Sequence, residues 1–472
     1  MRAHEAGALH ADGYRGPTWL QKPQDVNALH PSLWATSVGR SRDGVLAVGG
    51  VSVTDLAAQF GTPAYVVDEA DFRARAAEFV QTYDEIFESL CGGADVYYAG
   101  KAFLCTEIAR WIRDDGLFLD VCSGGELAVA IRAGMPGHRI GMHGNNKSLA
   151  ELEAAVDYGV GRIIVDSFEE IDRLAAVAAR LGRTAPVLVR VTVGVEAHTH
   201  EFIATAHEDQ KFGFSLAAGD AAEAVRRILA HAPHLRLLGL HSHIGSQIFD
   251  TSGYEVSARR ILRLHAQIAH EHGIELPELD LGGGFGIAYT SEHDPLPPKS
   301  LAAGMAEIVD RECRANGVGI PRISIEPGRA IAGPSTFTLY QVGTVKQVRL
   351  DGGASRSYVS VDGGMSDNVR TALYDADFSC TLAGRSSEAA PMLTRVVGKH
   401  CESGDIVVKD EFLPADVVAG DLLAVPGTGA YCRALSSQYN HTPRPPVVAV
   451  RDGQARVIVR RETVDDLLAL DV

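Results

Sequence analysis

The chain has 472 residues, too many for one ordinary domain and enough for two or three, one of which could be a barrel of roughly 250 residues. Hydrophobic residues make up 46% and charged residues 22%, a globular balance that excludes wholesale disorder. With 44 Lys and Arg against 60 Asp and Glu, the formal net charge of −16 repels a phosphate backbone, so nucleic acid is not an expected partner. A small anionic substrate would need its own local Arg or Lys. No stretch approaches ~20 uninterrupted apolar residues, so none reads as a membrane span. The start, MRAHEAGALHADGYRGP, has Glu5 and two His where a signal peptide needs an apolar run, and the expected location is the cytoplasm. Seven cysteines, odd in number and without a CxxC pair, argue against a disulfide framework and a thiolate zinc site. They are expected to be reduced and mostly buried, Cys401 apart.

In chain order, residues 1–44 are rich in Gly, Pro, His and Asn and read as an irregular or poorly ordered leader. Val51-Ser52-Val53 is followed by TDLAAQFGTP, a short helix stopped by Gly61 and Pro63, and then by the apolar run AYVVD at 64–68. A strand/helix alternation comes next. Its β-like runs are DVYYAG (95–100), LFLDV (117–121), RIGMHG (139–144), RIIVDS (162–167), VLVRVTV (187–193), LLGLHSH (237–243), LDLGG (279–283) and ISIEPG (323–328). Between most of them lie Ala-, Leu-, Glu- and Arg-rich stretches such as SFEEIDRLAAVAARLG. Eight strands with helical crossovers fit a (β/α)8 barrel over 71–333 better than an open, doubly wound sheet, which remains the alternative. After Pro334 the segments are β-branched and turn-punctuated, which predicts a second, mainly β domain over 334–472. The short strands of 45–70 share that character and are expected to join it.

In a parallel barrel the catalytic groups sit just past the C-terminal strand ends. Those positions hold Lys101, Ser123, His143, Asp166, Arg190, His243, Gly282-Gly283-Gly284, and Glu326 with Arg329. Lys101 in YYAGKAF is expected over an apolar floor, where desolvation would make it a Schiff-base nucleophile; the plainer alternative is a solvated strand-end lysine. LGGGFG (281–286) lets backbone N–H groups approach an anion but lacks the dinucleotide spacing, so it reads as a phosphate loop or a tight turn. Two His-x-His pairs, His198/His200 and His241/His243, have no third ligand set by spacing, and no metal is expected. EPGR (326–329) places a carboxylate and a guanidinium at the barrel mouth, either for ligand or as a structural ion pair. Together these groups point to pyridoxal phosphate, which needs an imine-forming amine, an anion cradle, a flat ring contact and a carboxylate for its ring nitrogen.

These residues resemble the pyridoxal phosphate-dependent decarboxylases of the alanine-racemase-like barrel fold, and most closely the branch that acts on diaminopimelate. The resemblance runs from about residue 45 to 470 through YAGKAF (98–103), VRVTVGVEAHTHEFIATAHEDQKFGF (189–214), GLHSHIGSQ (239–247), GGGFG (282–286), EPGRAIAG (326–333), CESGD (401–405) and GTGAY (427–431). It implies decarboxylation of meso-2,6-diaminoheptanedioate to L-lysine and CO2, the last step of lysine synthesis. It implies Lys101 as the Schiff-base lysine, His243 stacked on the cofactor ring, and Glu326 at the ring nitrogen. Ser246, Gly284, Gly328 and Tyr431 become cofactor contacts. Arg329, Arg370, Tyr374, Glu402 and Tyr431 become substrate contacts, with Arg329 also able to reach the phosphate. Cys401 is implied as a proton donor which, with Glu402, crosses from the partner subunit, so a homodimer is expected. Gly100 departs from the bulkier apolar residue frequent in the wider family and would loosen the packing around Lys101.

Overall fold

The structure, a computed structural model, describes residues 16–194, 211–349 and 355–472. Residues 1–15 of the leader and the His198/His200 pair lie outside the described residues. The chain divides into two compact units: a barrel unit, Arg73–Gly286 with Pro295–Ala330, and a β unit made of the residues up to Phe72, Ile287–Asp294 and Ile331–Val472.

Eight parallel strands form the barrel: β1 (Ala94–Ala99), β2 (Phe118–Val121), β3 (Ile140–Met142), β4 (Arg162–Val165), β5 (Ala185–Thr192), β6 (Leu235–His241), β7 (Glu278–Gly283) and β8 (Arg322–Glu326). Each pairs with the next, β4 with β5 at Ile163↔Val187 included. The ring closes where β8 returns to β1 at Ile323↔Ala94. That closure rules out the open sheet. Covered on both faces, the strands read as continuous apolar runs rather than alternating ones. Leu119, Ile163, Leu188, Leu240, Leu279 and Ile323 are wholly buried. The crossover helices start on caps visible in the sequence. Ser123 Oγ accepts from Glu126 N–H, Ser148 and Glu151 form a capping box, and Ser167 Oγ accepts from Glu170 N–H. Such a cap contributes about 1 kcal/mol. Ser123, read as a strand-end candidate, is thus occupied as a helix cap.

In the β unit the long strand Thr336–Arg349 is central. Its first half pairs with Ala64–Asp68 and Leu422–Pro426, and its second half with Ser355–Val361. Ala64–Asp68 also lies parallel to Val447–Arg451 and is buried along its whole length. Residues 16–44 are irregular but not loose. Leu33 and Trp34 pack into one cluster with Leu46, Val48, Phe337 and Leu339. The Arg40 guanidinium donates to the carbonyls of Asn27 (2.7 Å), Gly44 (2.9 Å) and Leu382 (2.7 Å). Long-range contacts of this kind leave no period in the sequence. Among the described residues no helix is long and apolar enough to cross a membrane. All seven cysteines are free; Cys313, Cys380 and Cys432 are buried, while Cys122 and Cys401 are exposed, so burial is less general than expected.

Candidate active site

Because the strands are parallel, their C-terminal ends share one rim, and one cavity there is lined by Lys101, Asp120, His143, Arg190, His243 and Glu326, among others. Glu326 ends β8 and is buried at the centre of a cluster of histidines. Its Oε1 lies 2.9 Å from His241 Nε2 and 3.3 Å from His143 Nε2, and its Oε2 is 4.0 Å from His243 Nδ1. Burial alone would raise the Glu326 carboxyl, but the surrounding imidazoles, His143 and His241 foremost, outweigh it and hold the group well below the usual carboxylate range. The proton of the 2.9 Å contact is therefore assigned to His241 Nε2. Gly283 N–H donates to His243 Nδ1 at 3.2 Å, so that nitrogen is an acceptor. Burial, reinforced by Lys101, holds His243 well below its ordinary value, and burial does the same to His143.

Two further carboxyls share the barrel interior, and like charges this close do not all ionise. Burial, with Glu326 and Asp280 nearby, pushes Asp120 well above the carboxylate range. Asp280, which accepts from Gly282 N–H at 2.8 Å, is raised to about 7 by burial and by Glu326. The interior thus favours ionisation at Glu326 over Asp120 and Asp280, with His143 and His243 held below their ordinary values by burial. His143, His241 and Glu326 also offer ligand atoms within 4.8 Å of one another. A metal there would compete for the carboxylate that a protonated ring nitrogen requires.

Lys101 stands two residues beyond β1 and is exposed at the mouth. The cavity beside it is mainly apolar in surface, with Ala99, Val121, Cys122 and Phe212 in its lining, and Asp120, the histidines and Glu326 set ionisable groups into that lining. Of these groups Asp120 lies inside an apolar-looking strand, and the closed barrel brings it into the cavity. Gly100 does not loosen the lysine's surroundings. A Cβ there would lie 2.6 Å from the Asp120 carbonyl oxygen, so its absence lets β2 close up against the chain before Lys101. The nearby Lys147 is no rival as nucleophile. Its buried Nζ donates to Glu170 Oε1 (2.7 Å), Ile164 O (2.7 Å) and Gly144 O (2.8 Å), which uses all three protons.

At the ends of β6 and β7 two glycine-containing loops meet closely. Gly284 has φ +108°, and a Cβ on it would lie 2.6 Å from Gly245 O, so only glycine brings these two loops together. Arg329 Nη2 donates to Ser246 Oγ at 2.7 Å, which places this arginine beside an expected phosphate contact. Gly328 packs on Ala99 and Ala102, on either side of Lys101. On the opposite rim Arg190 lies over the Phe212 ring at 4.3 Å, while Asp166 accepts from Gly213 N–H at 2.8 Å. Asp166 and Arg190 thus brace the rim. A carboxylate held low, a flat imidazole, closely packed glycine loops with an arginine and an accessible amine fit pyridoxal phosphate.

Within the β unit, Arg370 and Tyr374 open and close the short helix Arg370–Tyr374. Arg370 is only 6% exposed, and its Nε and Nη1 have no hydrogen-bond partner among the described residues. Tyr374 and Tyr431 are half-buried, the latter at φ +62°. Cys401 and Glu402 are exposed at the tip of a turn whose two ends are buried. Asp405 braces that turn: its Oδ1 accepts from Met365 N–H (2.6 Å) and its Oδ2 from His400 N–H (2.7 Å). The His400 ring in turn contacts Ser366 Oγ at 2.7 Å. The turn at 363–368 therefore supports the Cys401 loop and, through Asn368 Oδ1 accepting from Arg370 N–H at 3.3 Å, the start of the Arg370 helix. Sequence reasoning missed Asp405 although it ends the CESGD motif, and missed Asp120 inside an apolar strand.

A family model described as "Pyridoxal-dependent decarboxylase, pyridoxal binding domain" matches residues 73–333. The chain is 54% identical to the diaminopimelate decarboxylase of Mycobacterium leprae over the full length of both proteins. It is 44% identical to that of Bacillus subtilis, over 92% of this chain and 96% of the relative. The crystal structure of diaminopimelate decarboxylase from M. jannaschii in complex with L-lysine superposes with a TM-score of 0.86 at 30% identity, covering 93% of this chain and 98% of that one. From barrel, glycine loops and motifs to full-length similarity, this chain belongs to the diaminopimelate decarboxylase family of pyridoxal-dependent decarboxylases.

Proposed function

We propose that the protein decarboxylates meso-2,6-diaminoheptanedioate to L-lysine and CO2 in the cytoplasm, as a homodimer with each site shared between subunits. When bound, pyridoxal phosphate supplies the conjugated system that takes up the electrons of the breaking carbon–carboxylate bond. Lys101 is the amine that carries the cofactor covalently. Glu326 keeps a ring nitrogen protonated, and His243, neutral and held by Gly283, offers its flat face. The cradle of Gly284, Ser246, Gly328 and Arg329, with Tyr431, receives the phosphate. Cys401 of the partner subunit delivers a proton to the carbon that has lost CO2, and the partner's Glu402 takes the far ammonium. A thiol and a carboxylate presented on an exposed but internally braced tip support a role outside their own unit.

The observation that carries the substrate assignment is Arg370. A buried guanidinium with unmet N–H groups is costly unless a ligand supplies the acceptors, and a carboxylate accepts in bidentate fashion. The substrate retains a whole amino-acid group at the end away from the reaction, and that group survives as the α end of L-lysine. An ornithine-type substrate has only an amine there. Arg370→Met is expected to lower kcat/KM on diaminopimelate roughly 30-fold or more, from a loss of about 2–5 kcal/mol. Inhibition by L-lysine should weaken in parallel, while inhibition by pentane-1,5-diamine and the cofactor's absorbance stay unchanged. Equal weakening of both inhibitors, or loss of cofactor, would assign Arg370 a structural or cofactor role.

A further inference from the structure

We propose that Tyr289, backed by Phe378, is a specificity-determining positioning residue: the aromatic seat that aims the Arg370 guanidinium at the substrate's far carboxylate. The inference rests on the reading of Arg370 above. The guanidinium carbon of Arg370 lies 4.7 Å from the centroid of the Tyr289 ring and 5.6 Å from that of Phe378. The two rings meet edge to face, with centroids 5.1 Å apart and planes at 73°. Both are buried, at 3% and 1% exposure. A cation–π contact holds the charge in place without supplying an acceptor oxygen, so the arginine is fixed while Nε and Nη1 keep no hydrogen-bond partner among the described residues. Arg356 also leaves Nε and Nη1 without a hydrogen-bond partner among the described residues, but its charge is paired. Arg356, fully buried in the same unit, is neutralised by Asp410 Oδ1 at 2.8 Å. No carboxylate is paired in this way with Arg370 among the described residues.

The seat is itself fixed. Tyr289 N–H and Thr290 N–H both donate to His293 Nδ1, at 3.3 and 3.2 Å. Gly427, the first residue of GTGAY, abuts the ring so closely that a Cβ there would lie 3.1 Å from Tyr289 Cδ1. A ring wedged in this way holds its partner's geometry at little entropic cost. Tyr289 follows the GGGFG loop by three residues and sits on Ile287–Asp294, the segment that belongs to the β unit.

The test uses holoenzyme carrying Tyr289→Leu, Tyr289→Phe and, at the second ring, Phe378→Leu. Tyr289→Leu is expected to raise KM for diaminopimelate and weaken L-lysine inhibition roughly tenfold, with kcat, pentane-1,5-diamine inhibition and cofactor absorbance nearly unchanged. Tyr289→Phe keeps the ring face and should restore near-native values. Phe378→Leu should show a smaller loss of the same selective kind, and it serves as the test if Tyr289→Leu does not fold. Unchanged constants in the leucine variants, or equal weakening of both inhibitors, would overturn the proposal. If Arg370→Met itself fails to separate the two inhibitors, the reading of Arg370 falls first; if it separates them and the leucine variants do not, this inference alone is wrong.

Discussion

Lys101→Ala is expected to give a colourless protein with an intact barrel and activity reduced on the order of a thousandfold or more. The side chain is exposed at the cavity mouth, so its truncation should cost no more than a few tenths of a kcal/mol in stability, the ordinary surface range of about ±0.5 kcal/mol. No neighbouring amine can take over, because Lys147 spends its protons on Glu170, Ile164 and Gly144 in a buried pocket. In the native protein, borohydride should fix the cofactor on a peptide containing Lys101, and mass mapping reads the result. An adduct on Lys147, or full visible absorbance in the alanine variant, would refute the assignment.

The second large effect concerns the exposed turn at Cys401. Cys401→Ala and Lys101→Ala should each be nearly inactive alone, since one lacks the proton donor and the other the cofactor-bearing amine. Mixed and allowed to exchange subunits, they should recover up to about a quarter of native activity: half the dimers are hybrids, and each hybrid has one site with both native residues. Cys401 and Glu402 stand at a surface tip whose base is pinned through Asp405 and His400, an arrangement that spends buried hydrogen bonds on presenting a thiol outward. A turn that served only its own chain would need no such presentation. Absence of recovery despite verified exchange would mean that each site is built within one chain.

Much of this architecture is written locally. Strands buried on both faces appear as uninterrupted apolar runs, and helix starts are marked by Ser148 and Ser167, so the alternation and the strand count are legible without a structure. The rim residues are legible for the same reason: a parallel barrel puts every strand end at one mouth, and Lys101, His243 and Glu326 stand at strand ends in the sequence. What escaped depends on closure or on distant pairing. Asp120 lies within an apolar-looking strand and reaches the cavity only because β8 meets β1, so its place beside Lys101 had no sequence signal. Trp34 looked like part of a loose leader because its partner Phe337 is some three hundred residues away. Tyr289 lies just after a conspicuous glycine loop, which drew attention from a ring whose role is fixed by Arg370 and Phe378. Where a residue's work is set by neighbours distant in sequence, periodicity cannot report it.

The central claim, a barrel that removes CO2 from a substrate recognised by the amino-acid group at its far end, is tested most directly by substrate choice. Purified protein saturated with pyridoxal phosphate should be given meso-diaminopimelate, ornithine and arginine separately, with CO2 and the amine product measured for each. The account predicts L-lysine and stoichiometric CO2 from diaminopimelate, with kcat/KM at least about a hundredfold above the other two, since a site built for a charged group rejects analogues that lack it. Comparable or faster CO2 release from ornithine or arginine would contradict it.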